Sequence, residues 1–221
     1  GQLSQGNRSN VDEPVPVKVQ KNSENTEEEP EYEILKDIVE IKAGNDNLQM
    51  VSKGGSLYVS GYSGYGQLGT GNTNKQIKPR KTNIYDSKDT TQTEYAIDVA
   101  AGASYTMILR ADGTVWEAGY NGYGQLGNGK TSGITLQKQQ VKSPDGEGVL
   151  ENIISVAAGN SYSVALDKDG NVYTWGYNGY GQLGLGDGNY RALPVKVDSL
   201  QGIIKIKAGN VSTFAIDNNN K

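Results

Sequence analysis

The sequence predicts an all-β propeller, in which short four-stranded sheets repeat around an axis as blades, and three observations support this fold class. The first is composition: 30 of the 221 residues are Gly, 14 are Tyr and one is Phe, a balance typical of many short strands joined by tight turns. The second is a loop sequence that occurs three times. The third is a short apolar segment ending in Ala-Gly that recurs with it. The whole chain is therefore predicted to be one repeat domain.

The repeated loop recurs after 57 or 58 residues. It reads GYSGYGQLGTGN from Gly61, GYNGYGQLGNGK from Gly119 and GYNGYGQLGLGD from Gly176. The Ala-Gly pairs recur in phase with it and begin at Ala43, Ala101, Ala158 and Ala208. Two markers in phase predict that one structural unit is repeated along the chain.

Four short strands are predicted in each unit. In the best-preserved unit, Ile153–Ala158 predicts strand A, Tyr162–Leu166 strand B and Val172–Trp175 strand C. An Asp-Gly pair predicts the tight turn between B and C, and a looser strand D is predicted at Leu193–Val197. Such a unit has the sequence pattern of a propeller blade, which buries its faces against its neighbours.

Residues Ile153–Val197 resemble the repeat of the RCC1-like (regulator of chromosome condensation) family almost throughout. The family pattern combines an Ala-Gly strand, a strand pair with the signature dG.vy.WG and a GQLG.G loop. The resemblance covers nearly the whole chain and looks like the bacterial type. It implies a β-propeller, usually of seven blades, of which about 3.5 to 4 are present. We expect an incomplete ring or one that is closed by oligomerisation.

The repeats divide the chain unevenly. Residues 1–36 hold a strand D and an acidic loop, residues 37–93, 94–151 and 152–202 each hold a blade, and residues 203–221 hold a partial blade. Because the sequence begins inside the repeated loop and stops after the second strand of a unit, we expect a fragment of a longer protein. The alternative is that two copies form one ring, since open blade edges favour self-association.

Two insertions lie between strand D of one unit and strand A of the next, at Gln20–Glu33 and Asp86–Glu94. Both are predicted to be surface loops. The first is rich in Glu and shows no apolar periodicity, which favours a solvated loop. An acidic docking segment is the alternative.

Composition excludes several classes of function. The net charge is −4 and no run of Lys or Arg occurs, which argues against nucleic acid as a partner. No apolar run is long enough to span a bilayer, so no membrane insertion is expected. The chain has no Cys and no His, so the usual ligands of zinc and haem and the usual catalytic bases are missing. We predict no metal, no cofactor and no enzyme activity.

Two motifs resemble ligand sites but are better explained as turns. GxGxxG occurs in each loop, but dinucleotide-binding loops of this type open a helix, and three copies at blade spacing favour turns. Asp167–Gly170 resembles the start of a calcium-binding loop, whose last position needs a carboxylate. That position holds Asn178, so a hairpin turn is predicted.

The repeated loops supply the candidate binding residues. The first Tyr of each loop lies beside a turn, where an aromatic ring on a rigid loop can anchor a partner; packing within the blade is the alternative. The second Tyr is predicted to pack. The Asn-Gly pairs predict tight turns because both residues accept positive φ. The candidate interface residues are Tyr62, Tyr120, Tyr177, Asn121 and Asn178.

The sequence departs from the family pattern at one place. Trp116 and Trp175 are assigned to the WG position, with Val59 in the corresponding slot of the first blade, and a strand Trp there predicts blade core. Many repeats of the family carry a His in the motif AGxxH. Here those positions hold Asn47, Tyr105, Tyr162 and Ser212. No residue for guanine nucleotide exchange, the activity of the family's founding eukaryotic member, is therefore carried over.

Together these features predict a non-catalytic protein-binding or adhesion scaffold, part of a larger bacterial surface or secreted protein. A chain rich in Asn, Gly, Tyr and Lys without Cys favours an extracellular or cell-surface location, and the cytoplasm is the alternative. Two other functions stay open. They are exchange or regulation on a small GTPase, and carbohydrate binding through exposed Tyr rings.

Overall fold

The computed structural model describes residues 17–20, 32–83 and 95–219, and in these ranges the chain forms β-strands joined by turns and loops, without a helix. Accordingly, no helix long and apolar enough to span a membrane occurs in the described ranges. Residues 21–31 of the first insertion and all of the second lie outside these ranges, so the surface loops expected there stay a prediction. The ends of the first insertion differ from that expectation, because Gln20 ends β1 and Tyr32 and Glu33 belong to β2. The all-β class and the four-stranded repeat are confirmed.

The strands follow one another in three four-stranded antiparallel sheets, which we call blades 1, 2 and 3. A two-stranded antiparallel sheet of β1 (Lys18–Gln20) and β2 (Tyr32–Ile34) precedes them. Blade 1 contains β3 (Ile38–Ala43), β4 (Asn47–Ser52), β5 (Leu57–Gly61) and β6 (Gln76–Thr82). Blade 2 contains β7 (Ala96–Ala101), β8 (Tyr105–Arg110), β9 (Val115–Tyr120) and β10 (Ile134–Gln140). Blade 3 contains β11 (Ile153–Ala158), β12 (Tyr162–Asp167), β13 (Val172–Gly176) and β14 (Arg191–Lys196). A two-stranded sheet, β15 (Ile203–Ala208) and β16 (Thr213–Asp217), begins blade 4.

Each blade places its first strand beside the first strand of the next blade. β7 packs against β3, β11 against β7, and β15 against β11. The register shifts after the first residue of each of these strands, and such a β-bulge bends a strand and increases its twist. The strands predicted as A to D are β11 to β14, and β11 has the predicted bounds.

Hydrophobic clusters lie between successive blades and hold them together. The cluster between blades 2 and 3 centres on five side chains that are at most 1% exposed: Tyr105, Met107, Leu109, Leu126 and Trp175. Similar clusters join blade 1 to blade 2 and blade 3 to blade 4. Burial between neighbours is what a repeat with two apolar faces requires.

The strand register corrects the predicted slots of the tryptophans. Trp175 occupies the WG position, but that position holds Ala118 in blade 2 and Ser60 in blade 1. The assignment of Trp116 and Val59 to it is wrong, because the glycine that ends each third strand fixes the register. Trp116 lies two residues and Val59 one residue before the slot. The predicted core location of both tryptophans is confirmed, with Trp175 0% and Trp116 7% exposed.

Hydrogen bonds also cross from blade to blade. Ser163 Oγ donates to the carbonyl of Gln125 in the preceding loop at 3.0 Å, and Thr213 Oγ1 donates to that of Gln182 at 2.7 Å. At the AGxxH positions, the Tyr105 hydroxyl donates to the Tyr162 carbonyl, and the Tyr162 hydroxyl reaches blade 4. Both tyrosines are fully buried. The residues that replace the family's histidines in blades 2 and 3 therefore join blades.

Candidate binding face

One face of the propeller carries both the turn between the first and second strands and the loop between the third and fourth strands. A backbone hydrogen bond of 2.7–2.9 Å joins turn and loop within each blade. The donors are the N–H groups of Tyr62, Tyr120 and Tyr177, and the acceptors are the carbonyls of Asp46, Ser104 and Ser161. The first tyrosine of each loop is therefore fixed to its own blade.

Asn121 and Asn178 form the internal scaffold of their loops. Asn178 Oδ1 accepts from the Leu183 N–H at 2.9 Å, and its Nδ2 donates to the Asp187 carbonyl at 2.8 Å. Asn121 makes the equivalent bonds in blade 2. Their exposures are 1% and 0%. The structure thus places these two candidate interface residues inside the loops, where they hold the loop and offer no group to a partner.

The turn at the Asn-Gly pairs differs from the predicted one. Neither Asn178 nor Gly179 has positive φ; that conformation appears at Gly181, with φ 75°. The same holds in blade 2. The glycine after the asparagine serves a different purpose, because a Cβ on Gly179 would overlap the Tyr177 ring. The first tyrosine of the loop lies across this glycine, which explains the Tyr-x-Gly spacing.

Seven tyrosines form a continuous row of ring contacts across this face, which we call the tyrosine ladder. Along its main row, neighbouring rings meet edge to face, with interplanar angles of 61–77° and centroid separations of 4.9–6.4 Å. Aromatic pairs of this kind add about 0.5–1.5 kcal/mol beyond their burial. The main row is Tyr62, Tyr65, Tyr120, Tyr123, Tyr177 and Tyr180, and Tyr190 lies against Tyr123 and Tyr177.

In blades 1 and 2, the second tyrosine of the loop connects its blade to the next one. Tyr65 of blade 1 contacts Tyr120 of blade 2, and Tyr123 of blade 2 contacts Tyr177 of blade 3. Tyr65 is 43% and Tyr180 74% exposed. The packing role predicted for these residues therefore takes place at the surface, ring against ring, instead of in a blade core.

Inside the ladder, the turns that follow the Ala-Gly pairs surround a depression of about 490 Å³. Backbone hydrogen bonds link these turns, from the Ala103 N–H to the Asn160 carbonyl at 3.2 Å and from the Asn160 N–H to the Asn210 carbonyl at 3.1 Å. The exposed side chains at its rim are the neutral amides of Asn45, Asn160 and Asn210. The depression is therefore lined by neutral groups, and exposed Asp46 lies in the same turn as Asn45.

Charge is absent from the three repeated loop segments that carry six of the seven ladder tyrosines. Residues 61–69, 119–127 and 176–184 include no Asp, Glu, Lys or Arg, although 21% of the chain is charged. At the border, a hydrogen bond from the Arg191 guanidinium lowers the pKa of Asp187. Partial loss of water raises the pKa of Tyr177, and the adjacent phenols add to this effect, so this phenol stays neutral at physiological pH. No group of three metal-binding side chains forms within residues 17–20, 32–83 and 95–219.

The sequence profile of the Regulator of chromosome condensation (RCC1) repeat matches residues 54–109, 112–166 and 169–216, and a second RCC1 repeat profile matches 96–125 and 153–182. The chain belongs to the RCC1 repeat family. The resemblance carried by the Ala-Gly pairs and the GQLG loops is confirmed. Its bacterial type stays a prediction.

Relatives of the chain include much longer proteins. The mouse E3 ubiquitin-protein ligase HERC2 is 35% identical over 179 residues, which are 79% of this chain and 4% of that protein. The Arabidopsis thaliana Ultraviolet-B receptor UVR8 is 29% identical over 223 residues, which cover 100% of this chain and 45% of the receptor. The chain therefore spans less than half the length of these curated relatives.

Solved structures of related propellers share the fold at low sequence identity. Yeast RCC1 (Prp20), in its complex with Kap60, matches 99% of this chain with a TM-score of 0.71 at 19% identity, over 49% of its own length. Human WBSCR16 matches 90% of the chain with a TM-score of 0.69 at 22% identity, over 52% of its length. These matches show an RCC1-type propeller fold.

Proposed function

We propose that this chain is a non-catalytic scaffold that binds a partner protein through the tyrosine ladder. The ladder itself carries the proposal, because it is a continuous row of seven aromatic side chains on loops. Tyrosine supplies a large contact area at a low cost in conformational entropy and is enriched in protein interfaces. The Ser, Gly and Asn residues around it complete a composition typical of protein-binding loops.

The ladder is preorganised by its own loops, which supports a binding role. The loop glutamines Gln67, Gln125 and Gln182 are at most 5% exposed and accept the N–H of the second tyrosine of their loop at 2.9–3.0 Å. Buried Asn121 and Asn178 fix the rest of the loop in blades 2 and 3. A surface held in its binding conformation loses little entropy when a partner binds.

Related propellers give a general precedent for protein binding. One structure of yeast Prp20p concerns its binding to Gsp1p and histones, and another shows it with Kap60. We transfer the general role but none of these partners. Nucleotide exchange has less support, because the positions of the family's histidines hold Tyr105 and Tyr162 in blades 2 and 3, and both are buried between blades.

The proposal is tested by selecting ligands from a display library of protein domains and peptides on the immobilised chain. Tyr65→Ala combined with Tyr180→Ala removes two exposed ladder rings. Tyr95→Ala is the matched control, because Tyr95 is also 43% exposed and lies at the start of β7, away from the ladder, with its hydroxyl on the Lys53 carbonyl. Selected clones should bind the Tyr95→Ala chain as they bind wild type and bind the double variant at least about tenfold more weakly. Equal binding of all three chains would place the interface elsewhere.

The exposed edge of blade 4 is a second surface, and we propose that it mediates self-association. Phe214 and Ile216 of β16 are 61% and 39% exposed, whereas Val164 and Leu166 at the same register of β12 are at most 1% exposed. At the other end, Ile41 of β3 is 57% exposed. Apolar strands with unpaired backbone groups favour pairing with another chain.

We also propose that the chain belongs to a bacterial protein that acts outside the cell or at its surface. The absence of Cys and the high content of Asn, Gly, Tyr and Lys support this location. Digestion of intact cells with an added protease tests it. Loss of the protein while a cytosolic marker survives is the expected result, and survival of both would place it inside.

A further inference from the structure

The chemistry that the ladder loops expose is unusually restricted. The loops at 61–69, 119–127 and 176–184 contain no charged residue. Their amide side chains point inward: Asn121 and Asn178 are at most 1% exposed, and the loop glutamines at most 5%. What these loops offer to a ligand is therefore phenol rings, phenol hydroxyls and glycine backbone.

This restriction argues against a sugar as the ligand of the ladder. Sugar hydroxyls both donate and accept hydrogen bonds, as Ser and Thr hydroxyls do. The amide oxygens of these loops are engaged internally by Leu126, Leu183 and the loop tyrosine N–H groups, and these amide side chains are at most 5% exposed. Neighbouring rings also meet at 61–77°. They form a row of edges and notches instead of the flat faces on which a sugar ring stacks.

We propose that the tyrosine ladder binds an extended, uncharged, proline-rich segment of the partner protein, an inference that rests on the proposed function. A polyproline II segment has no internal hydrogen bonds, so its carbonyls are free to accept from phenol hydroxyls. The proline rings of such a segment fit notches between aromatic side chains, which is the basis of proline-rich recognition in aromatic-lined grooves. It carries no charge and is already extended, so it suits a neutral, rigid surface.

The dimensions of the ladder agree with such a segment. Each step along the main row is 4.9–6.4 Å between ring centroids. A polyproline II chain rises about 3.1 Å per residue, so two residues advance about 6 Å. Followed from ring to ring, the five steps from Tyr62 to Tyr180 correspond to about ten residues, so decaproline is the probe.

The test is a titration of the full chain with decaproline, followed by NMR of selectively labelled tyrosine rings. Signals of the ladder tyrosines should shift and saturate, while the signal of Tyr95 stays in place as an internal control. The combination of Tyr65→Ala and Tyr180→Ala should weaken binding by about fivefold or more, and Tyr95→Ala should leave it unchanged. Thermal melts establish that each variant is folded.

Two further probes separate the alternatives. A (Gly-Ser)5 peptide has the same length and no charge but is flexible, and a neutral hexasaccharide represents a glycan. Binding of decaproline that clearly exceeds both supports the inference. Equal binding of the Gly-Ser peptide, stronger binding of the hexasaccharide, or no ladder shift with decaproline would each overturn it. The proposed function is judged separately, by the ladder dependence of the selected protein ligands.

Discussion

Glu117 distinguishes blade 2 from blades 1 and 3. Its side chain is fully buried and takes the register position that Val59 holds in blade 1 and Thr174 in blade 3. Ser163 Oγ and Trp175 Nε1 favour its charged form only weakly, since they donate to the Gln125 carbonyl. Neither carboxyl oxygen has a hydrogen-bond partner among the described residues. Burial therefore raises the pKa of Glu117 well above its ordinary value.

The raised pKa predicts that the chain loses stability as pH rises. Between the pKa of Glu117 in the unfolded chain and its raised pKa in the folded chain, unfolding releases a proton that the folded chain keeps. Within this window, each pH unit lowers the free energy of unfolding by about 1.4 kcal/mol. Glu117→Gln removes the ionisable group, so its free energy of unfolding should exceed that of wild type at neutral pH. Denaturant titrations between about pH 5 and 8 measure the difference.

The control for this comparison is Glu151→Gln, because Glu151 is an exposed residue before β11. It should follow the wild-type curve, because this substitution leaves the buried Glu117 in place. If the free energies of unfolding of Glu117→Gln and wild type changed in parallel over the whole pH range, the proposal that Glu117 is buried in its neutral form would be refuted.

At the scale of the element, the three ladder loops share a backbone path but differ in their internal bonds. The Gly66 N–H donates to the Ser63 carbonyl at 2.8 Å, and the Gly181 N–H donates to the Asn178 carbonyl at 2.9 Å. In blades 2 and 3 the asparagine side chain also holds the loop. In blade 1 the shorter Ser63 side chain is fully buried, and its hydroxyl has no partner in the described part of the chain.

This difference predicts opposite effects for two reciprocal substitutions. Ser63→Asn should stabilise the chain by about 1 kcal/mol, because it supplies the amide that the other loops use and removes an unpaired buried hydroxyl. Asn178→Ser should cost about 1–3 kcal/mol, because it leaves the Leu183 N–H and the Asp187 carbonyl without their partner. Thermal or denaturant unfolding measures both. If both substitutions destabilised the chain, the blade 1 loop could not use the asparagine hydrogen bonds that hold the blade 3 loop.

The elements themselves could be predicted because their signals are local. Alternating apolar residues and an Asp-Gly turn define β11, β12 and β13 within a residue or so. The direction of a side chain within a loop depends on residues further along the chain. Asn121 and Asn178 fit a tight turn by residue type, yet their amides turn inward to bond atoms five to nine residues away. Only the folded loop shows that they are scaffold.

The ladder belongs to the scale of the whole molecule, which is why the sequence reveals only part of it. Repetition predicts that Tyr62, Tyr120 and Tyr177 occupy equivalent places. It does not predict that the second tyrosine of one blade reaches the first tyrosine of the next, because that contact depends on the angle between blades. Tyr190 follows the repeated stretch in blade 3 alone, so no repeat points to it. The packing of blades 1, 2 and 3 brings the tyrosine pair of each loop into contact with the pair of the next, so the pairs form one row.

Comparison of blade 4 with blade 3 shows apolar side chains that are exposed in blade 4, and these predict how copies of the chain associate. Phe214 and Ile216 lie where blade 3 buries Val164 and Leu166 against its successor. Light scattering over a range of concentrations should therefore show a mass above that of the monomer. Phe214→Ser combined with Ile216→Ser should weaken the association at least about tenfold, equivalent to about 1.4 kcal/mol.

Ile134→Ser is the matched control for the blade 4 edge, because Ile134 is 45% exposed on the outer strand β10 and should leave the mass unchanged. A wild-type chain that stays monomeric at every concentration, or a double variant that associates like wild type, would refute association through β16. Association that survives in the ladder variant Tyr65→Ala/Tyr180→Ala would show that edge and face act separately, because β16 and the ladder share no residue. One chain could then pair with its copy at the edge while its tyrosine face stays open to another protein.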